Sequence, residues 1–313
     1  MKYSFLFAFD SSYSQQGCVA IYSLLENIDN EIEIYVILDE TNKDFIFPEK
    51  IVSHKNLIKL NKKYIDTVDK FYNVEGTHIS KATFYRLYLS ELFTENIENM
   101  VYLDADVVCL NSPLDNLSQT FELMKKQNLH FGFSDELKRH QYEEPFNRLK
   151  MKNNNYFNAG VMLFSLKKWK EYRYTEKSIN LLKELKNKAK FWDQDVLNAM
   201  IDGNYYSIDK MLNYKSAEIE REQTKQLIND KKIKFLHYSG KGKPWEIGGL
   251  FEEAGIEYHK YFYEIYGTKF HVTTKNKKNS IYRLFKHRNA FKKINFFDLL
   301  IYFYLSIKKL LLG

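Results

Sequence analysis

The chain has 313 residues, of which 44% are hydrophobic and 16% aromatic, which is enough for one large folded domain and excludes a disordered protein. Its net charge of +7 is concentrated at one end, because residues 275–313 contain ten Lys or Arg and one acid. This tail carries +9 and the rest of the chain −2. Such a distribution predicts an electrostatic appendage rather than a basic groove for nucleic acid.

The two cysteines, Cys18 and Cys109, lack the spacing of a metal site or a disulfide framework. Both are predicted to be small core residues in a protein of a reducing compartment. The apolar run at the beginning of the chain ends at Asp10 without a small-residue cleavage site, so it does not predict a signal peptide. We therefore expect a cytoplasmic protein.

The pattern of apolar residues predicts an α/β fold that begins with a βαβ unit. Residues 3–9 and 31–38 are strand-like, and Cys18, Ile21 and Leu25 between them have helical spacing. The first turn lacks Gly-x-Gly-x-x-Gly, which argues against an ordinary dinucleotide site. Asp10 stands at the carboxyl end of the first strand, where ligands bind in open α/β sheets, and a turn-forming or helix-capping function is the equal alternative.

A strand over residues 57–60 and a helix over residues 81–93 are predicted next, with Ser80 as the N-cap. Arg86 falls beside the buried face of this helix. A solvated arginine is the commoner outcome there, although a guanidinium suits a site that holds carboxylates and a phosphate.

The most informative stretch is residues 100–110, an apolar run interrupted only by Asp104 and Asp106. It is predicted to be one strand buried on both faces. Side chains two apart point the same way in a strand, so both aspartates could bind one hard divalent cation that holds a phosphate. Two buried charges would be costly without a cation or a basic partner.

The following segments predict a site at strand ends. A strand over residues 129–134 ends in Asp135, a polar loop covers residues 136–155, and a strand over residues 156–164 contains Asn158, Ala159 and Gly160. A mainly helical stretch follows over residues 169–190. The pair Asp193 and Asp195 then opens a helix that ends near residue 203, where acids can simply complement the helix dipole.

A last strand, over residues 233–238, runs into a cationic loop with two glycines. His237 lies at the end of this strand, and a lone histidine is more often structural. One that meets a pair of aspartates could complete a metal site.

Four blocks, in this order, resemble glycosyltransferase family 8: Asp104-Ala105-Asp106, Asn158-Ala159-Gly160-Val161, Asp193-Gln194-Asp195 and His237-x-x-Gly240-x-x-Lys243-Pro244-Trp245. This family includes bacterial lipopolysaccharide and lipooligosaccharide glucosyl- and galactosyltransferases and glycogenin. The resemblance covers residues 3–245 and implies a GT-A fold, a UDP-hexose donor, Mn²⁺ with Mg²⁺ as the alternative ion, and retention of anomeric configuration. The implied acceptor is a glycan or glycolipid in cell-surface glycan synthesis, and the sequence leaves galactose and glucose open, with a slight preference for galactose.

Carried over residue by residue, the resemblance makes Asp104, Asp106 and His237 metal ligands. Gly240 and Lys243 would hold the diphosphate, and Ala8, Phe9 and Asp10 would meet the uridine. The residues implied around the donor sugar and the diphosphate, of which Arg86, Asp193 and Gln194 are the catalytic candidates, are Arg86, Asp104, Ala105, Asn158, Ala159, Asp193 and Gln194. Either Asp135 or Glu136 would contact sugar. Because the amide of Gln194 is a poor nucleophile, we expect same-face attack by the acceptor, with Asp193 as the nearest carboxylate alternative.

Two other functions fit parts of the pattern. Residues 102–108 also resemble the first motif of haloacid-dehalogenase-type phosphatases, in which Asp104 would be the nucleophile and Asp106 the acid/base. That mechanism needs a later acidic pair such as Asp-Asp or Gly-Asp-x-x-x-Asp, and neither motif occurs downstream. A non-catalytic, membrane-bound sugar-binding protein would leave the metal-ligand pattern without a purpose.

The tail, residues 275–313, is predicted to be an amphipathic membrane-surface anchor that follows a catalytic domain over residues 1–274. Its longest apolar run, residues 299–305, is far shorter than the ~20 residues that a helix needs to span a bilayer. Basic residues and aromatics would bind it to the anionic inner face of the cell membrane. The alternative is a helix packed back on the catalytic domain or at a dimer contact.

Overall fold

The computed structural model describes residues 2–66, 81–216, 221–240, 242–251, 254–274, 280 and 295–312. The predicted α/β architecture is confirmed, with a mixed central sheet flanked by helices. The strands are β1 (Ser4–Ala8), β2 (Ile32–Asp39), β3 (Leu57–Ile65), β4 (Met100–Asp104), β5 (Val107–Cys109), β6 (Phe131–Lys138), β7 (Asn155–Phe164), β8 (Tyr206–Ser207), β9 (Tyr214–Lys215) and β10 (Phe235–His237). The helices are α1 (Ser14–Glu26), α2 (Glu49–Val52), α3 (Leu89–Leu92), α4 (Leu114–Lys126), α5 (Glu144–Arg148), α6 (Leu166–Glu171), α7 (Tyr174–Leu185), α8 (Trp192–Ile201), α9 (Arg221–Asn229), α10 (Gly255–Tyr266) and α11 (Phe296–Leu312).

The central sheet has the order β3-β2-β1-β4-β7-β6-β8, and a smaller sheet has the order β5-β10-β9. In the central sheet β7 runs antiparallel to both of its neighbours, whereas the other pairs are parallel. Strand β1 shows why its sequence is apolar without alternation. Phe5 and Phe7 lie in one apolar cluster and Leu6 and Ala8 in another, so both faces are covered, as in parallel sheets generally.

The prediction of one strand over residues 100–110 is wrong. The chain leaves the central sheet after Asp104, turns at Ala105 and Asp106, and enters the smaller sheet at Val107. Both halves are buried and apolar, so the change of sheet leaves no trace in the hydrophobic pattern. The two aspartates therefore flank a turn and do not share one face of a strand.

Other boundaries also differ from the predictions, among them that of β3, which continues to Ile65 instead of ending at residue 60. The helix predicted over residues 81–93 is a 3-10 helix over Lys81–Tyr88 followed by α3, and its proposed cap, Ser80, lies outside the described residues. The helix over residues 169–190 is divided at Arg173, whose φ is 56°. The polar loop over residues 136–155 is partly ordered, because β6 extends to Lys138 and α5 follows. Both cysteines are buried and free, as predicted.

Helix α11 represents part of the tail, and it packs on the rest of the fold through one face. Tyr302 is fully buried in a cluster whose other buried members are Ile247, Leu250, Phe251 and Phe270. Its hydroxyl accepts a hydrogen bond of 2.8 Å from the backbone N–H of Gly248. Residues 275–279 and 281–294, which carry most of the tail's cations, lie outside the described part of the chain.

Candidate active site

The site is built where β1 and β4 end side by side. Ala8 pairs with Asp104 in the parallel register, so the chain after β1 begins next to the first aspartate. The side chain of Phe9 is buried among Phe45 and Phe47, which leaves only its backbone to meet a ligand. Asp10 caps the 3-10 helix over Ser11–Tyr13, where its Oδ1 accepts from the N–H of Ser12 at 2.9 Å. Asp10 therefore has the capping function foreseen as one of its two alternatives.

The two aspartates lie close to His237 in space, although His237 follows Asp104 by 133 positions in the sequence. One ligand atom from each lies within 4.8 Å of the other two. The sheets explain this convergence, because β10 pairs with β5 in a register that sets His237 opposite Val107, and the N–H of Tyr238 donates to the carbonyl of Asp106 at 3.0 Å.

The carboxylate of Asp106 fits a cation. Its buried Oδ1 lies 3.3 Å from Nε2 of His237 and makes no hydrogen bond within the described residues. A buried carboxylate oxygen without a donor is costly, and it faces an imidazole nitrogen of the kind that ligates metals. Asp104, Asp106 and His237 are thus a donor set of two carboxylates and an imidazole that suits a divalent transition metal.

Lys243 lies at this site and supplies a positive charge. Its Nζ donates to Oδ2 of Asp106 and to the carbonyl of Tyr238, each at 2.5 Å. Burial alone would raise the pKa of Asp106, but the ammonium of Lys243 holds this pKa below its ordinary value. Asp106 is therefore an anion at neutral pH, as a metal ligand must be.

Arg86 is buried and belongs to the site, contrary to the commoner solvated outcome. Its guanidinium donates to Oδ1 of Asp104 at 2.7 Å and to the carbonyl of Ala159 at 2.5 Å, and it lies 4.1 Å from the ring centre of Tyr102. Burial would lower the pKa of Arg86, but the carboxylates of Asp104 and Asp193 raise it above the usual value. The guanidinium is thus fixed against Asp104, one of the three candidate metal ligands.

Asp193 lies on the other side of Arg86, with its Oδ2 2.8 Å from Nε of the guanidinium. It is buried at the beginning of α8, and burial raises its pKa to about 7, with Arg86 opposing and Asp104 adding to the rise. This carboxyl is engaged by the guanidinium of Arg86. Asp195, by contrast, is structural, since it pairs with Arg148 at 2.6 Å and accepts from Tyr156 at 2.7 Å.

The amide of Gln194 is held by hydrogen bonds at both ends. Its Oε1 accepts from the N–H of Ala159 at 3.0 Å, and its Nε2 donates to Oε2 of Glu136 at 3.0 Å. Asn158 donates to the same oxygen of Glu136 at 3.4 Å. Of the two acids left open by the sequence, Glu136 thus lies with Gln194 and Asn158, whereas Asp135 faces the hydroxyl of Tyr205 at 2.5 Å.

The remaining predicted residues are Ala105 and Gly240. Ala105 is buried in the turn between the two aspartates. Gly240 has a φ of 73°, and a Cβ there would meet nothing within 4 Å, so this glycine is required by its backbone conformation rather than by lack of space.

Sequence reasoning missed two buried residues next to the site, Asn213 and Lys215. Asn213 contacts both Asn158 and His237, and Lys215 pairs with Glu136 at 3.1 Å. They flank Tyr214 at the two-residue strand β9, which is too short to show a hydrophobic period.

Known proteins resemble this chain in sequence and in fold. The lipopolysaccharide 1,2-glucosyltransferase of Escherichia coli K12 is 28% identical over 267 residues, which are 80% of this chain and 74% of that protein. The lipopolysaccharide 1,3-galactosyltransferase of Salmonella typhimurium is 27% identical over 54% of this chain and 51% of that protein. The fold matches the crystal structure of the galactosyltransferase LgtC in complex with donor and acceptor sugar analogs, with a TM-score of 0.67 and 22% identity over 84% of this chain and 96% of that one.

The model of glycosyl transferase family 8 matches residues 5–247, which include every predicted site residue. The family match and the GT-A fold support a glycosyltransferase and neither the phosphatase nor the non-catalytic alternative. The chain belongs to glycosyl transferase family 8 and is a glycosyltransferase.

Proposed function

We propose that the protein transfers a hexose from a UDP-hexose to a glycan acceptor, with Mn²⁺ bound at Asp104, Asp106 and His237 and with retention of anomeric configuration. The observation that carries the proposal is the unsatisfied Oδ1 of Asp106 beside Nε2 of His237, within a set of three ligand atoms that lie less than 4.8 Å apart. An imidazole among oxygen ligands favours Mn²⁺ over Mg²⁺.

The bound metal would stabilise the negative charge that develops on the diphosphate leaving group. Lys243 supports the proposal because its ammonium lies beside Asp106, where it can add to that stabilisation. Gly240, in the same loop, offers backbone without a side chain to the diphosphate. Ala8, Phe9 and Asp10 are proposed to meet the uridine, since they end the strand next to Asp104.

On the sugar side, Arg86, Asp193, Asn158 and Gln194 are proposed to orient the donor hexose. Gln194 is held by Ala159 and Glu136, so its amide can position a hydroxyl but is a poor nucleophile. We therefore favour same-face attack, in which the acceptor hydroxyl transfers its proton to a donor phosphate oxygen. A covalent intermediate on Asp193 is the alternative, and its ion pair with Arg86 argues against it.

The proposed acceptor is a lipopolysaccharide or another cell-surface glycan, because two relatives are named for transfer to lipopolysaccharide. One of them is a glucosyltransferase and the other a galactosyltransferase, so UDP-glucose and UDP-galactose are both candidate donors. Release of UDP from each in the presence of Mn²⁺ identifies the donor.

A variant tests the metal site. Asp106→Asn keeps the side-chain volume and removes one charge from the ligand set, so turnover should fall at least ~10²-fold while the protein remains folded. Asp115→Asn is the matched control, since Asp115 is exposed at the first turn of α4. Unchanged turnover in Asp106→Asn would refute the metal site.

We also propose that the protein associates with the inner face of the cell membrane through its tail. No helix in the described parts of the chain is long and apolar enough to cross a bilayer. One face of α11 packs on the body, while its opposite face exposes large apolar side chains: Phe296, Phe297, Leu300, Ile301, Tyr304, Ile307 and Leu311. Such a face beside a basic segment suits an anionic lipid surface.

Point substitutions test the anchor without removing the packed helix. Leu300→Asp should reduce sedimentation of the full-length protein with anionic liposomes, because Leu300 is 50% exposed on the apolar face. Ile46→Asp is the control, since Ile46 is an apolar residue that is 85% exposed elsewhere on the surface. Equal loss of liposome binding in both variants, or none in Leu300→Asp, contradicts the proposed surface.

A further inference from the structure

Three buried side chains form a continuous chain of hydrogen bonds behind the metal-ligand set. Asn158, Asn213 and His237 are each at most 6% exposed. Nδ2 of Asn213 donates to Oδ1 of Asn158 at 2.9 Å, and Oδ1 of Asn213 lies 2.9 Å from Nδ1 of His237. These hydrogen bonds therefore link Asn158, on the proposed sugar side, to His237, a proposed metal ligand.

The backbone N–H of Gly160, at one end of this series of hydrogen bonds, fixes the orientation of both amides. The N–H of Gly160 can only donate, and it lies 3.0 Å from Asn158, so the atom that faces it must be the amide oxygen. That oxygen also faces Asn213, which must then present its NH₂ group. The other end of the Asn213 amide is consequently an oxygen, and it faces His237.

This fixed oxygen selects one tautomer of His237. An amide oxygen can only accept, so Nδ1 of a neutral His237 carries the proton and Nε2 keeps its lone pair. Nε2 is the nitrogen that lies 3.3 Å from Oδ1 of Asp106. The ring also rests on Gly160, where a Cβ would be only 2.2 Å from its Cε1. Hydrogen bonding and packing thus hold the imidazole with its basic nitrogen toward the carboxylates.

We propose that Asn213 is a positioning residue that fixes the tautomer and the rotation of His237, so that Nε2 is free to bind a divalent cation. The inference rests on the metal site of the proposed function. A partner that orients a metal-bound histidine through its second nitrogen commonly contributes a factor of 10 to 100 in metal affinity.

Asn213→Leu and Asn213→Asp separate orientation of His237 from simple structural support. Leucine is close in size and offers no acceptor, whereas aspartate keeps an acceptor for Nδ1–H but loses the donor to Asn158. We expect Mn²⁺ affinity, measured from the electron paramagnetic resonance signal of free Mn²⁺, to fall about 10- to 100-fold in Asn213→Leu and to be largely rescued in Asn213→Asp. Asn56→Leu, which removes an amide that bonds to the carbonyl of Leu25, is the control and should bind Mn²⁺ like the wild type.

A second readout needs no metal and no activity. Long-range ¹⁵N–¹H correlation spectra of histidine-labelled protein should show His237 as the Nδ1–H tautomer in the wild type and in Asn213→Asp, and a mixture of tautomers in Asn213→Leu. Unchanged Mn²⁺ affinity in a folded Asn213→Leu overturns this inference alone. If Asn213→Leu does not fold, Asn213→Asp decides, because a folded aspartate variant that has lost the Nδ1–H tautomer of His237 but binds Mn²⁺ as tightly as the wild type also overturns it. A wild-type protein that does not bind Mn²⁺ overturns the proposed metal site together with the inference.

Discussion

Acidification should destabilise the fold through His259, a buried residue of α10 that contacts the loop carrying Lys243. Its Nδ1 accepts from the backbone N–H of His271 at 3.3 Å, so its Nε2 carries the proton and donates to the carbonyl of Pro244 at 3.0 Å. A second proton, on Nδ1, would face the N–H of His271. Burial lowers the pKa of His259 to about 3, although the carbonyl of Pro244 raises it slightly and His271 lowers it further.

The sign and size of the effect follow from this lowered pKa. An unfolded histidine has a pKa of about 6.5, so as the pH falls the unfolded chain binds the proton first and the stability present above that pH is lost progressively. Between pH 7 and pH 5 the loss is about 2 kcal/mol for His259. Asp193 acts in the opposite direction over the same range, because its raised pKa of about 7 lets the folded state bind its proton first. The diagnostic quantity is therefore the difference between the wild type and His259→Gln, in which an amide can still donate to Pro244.

The measurement is the free energy of unfolding by urea at pH 7 and pH 5, followed by tryptophan fluorescence. His259→Gln should lose about 2 kcal/mol less than the wild type between these two conditions. His140→Gln is the control, because His140 is exposed after β6, and it should follow the wild type. An equal pH dependence in the wild type and in His259→Gln would refute the reasoning.

Three further substitutions follow from individual contacts. Gly160→Ala should weaken Mn²⁺ binding about 10-fold or more, because the added Cβ would displace the ring of His237, and unchanged affinity in a titration would contradict this. Tyr302→Phe should lower the free energy of unfolding by about 1–3 kcal/mol, because the buried N–H of Gly248 loses its acceptor while the ring packing is kept, and an unchanged urea midpoint would exclude that contribution. Gln194→Ala should reduce the rate of UDP release yet retain substantial activity, since the amide orients the donor, whereas a trapped glycosyl adduct on Gln194 or Asp193 would overturn same-face attack.

Much of the site could be predicted because its residues occur in compact blocks at strand and helix ends. Asp104, Asp106 and His237 were found without knowledge of their contacts, and the structure brings them together. The prediction that one strand presents the two carboxylates on the same face is wrong, because the chain turns between them. That turn contains no glycine or proline that would reveal it in the sequence. It is stabilised by the pairing of β5 with β10, which lies more than 120 residues later in the chain.

The unpredicted residues share a different property. Asn213 and Lys215 are defined by partners that are distant in the sequence, and their local segment has neither an apolar period nor a recognisable motif. Arg86 was a candidate only through the family resemblance, because its place beside the buried face of the predicted helix made a solvated arginine the commoner outcome. Its two carboxylate partners come from β4 and α8, and only the assembled sheet brings them near the guanidinium.

The contact between Tyr302 and Gly248 also has a consequence for the order in which the protein matures. Helix α11 follows every strand of both sheets in the chain, so it is synthesised after them. The three candidate metal ligands can assemble once β10 has been made, whereas the segment after Lys243 gains the hydroxyl of Tyr302 only when α11 has emerged and docked. A nascent chain would therefore bring these three side chains together before it completes the support of the loop beside them.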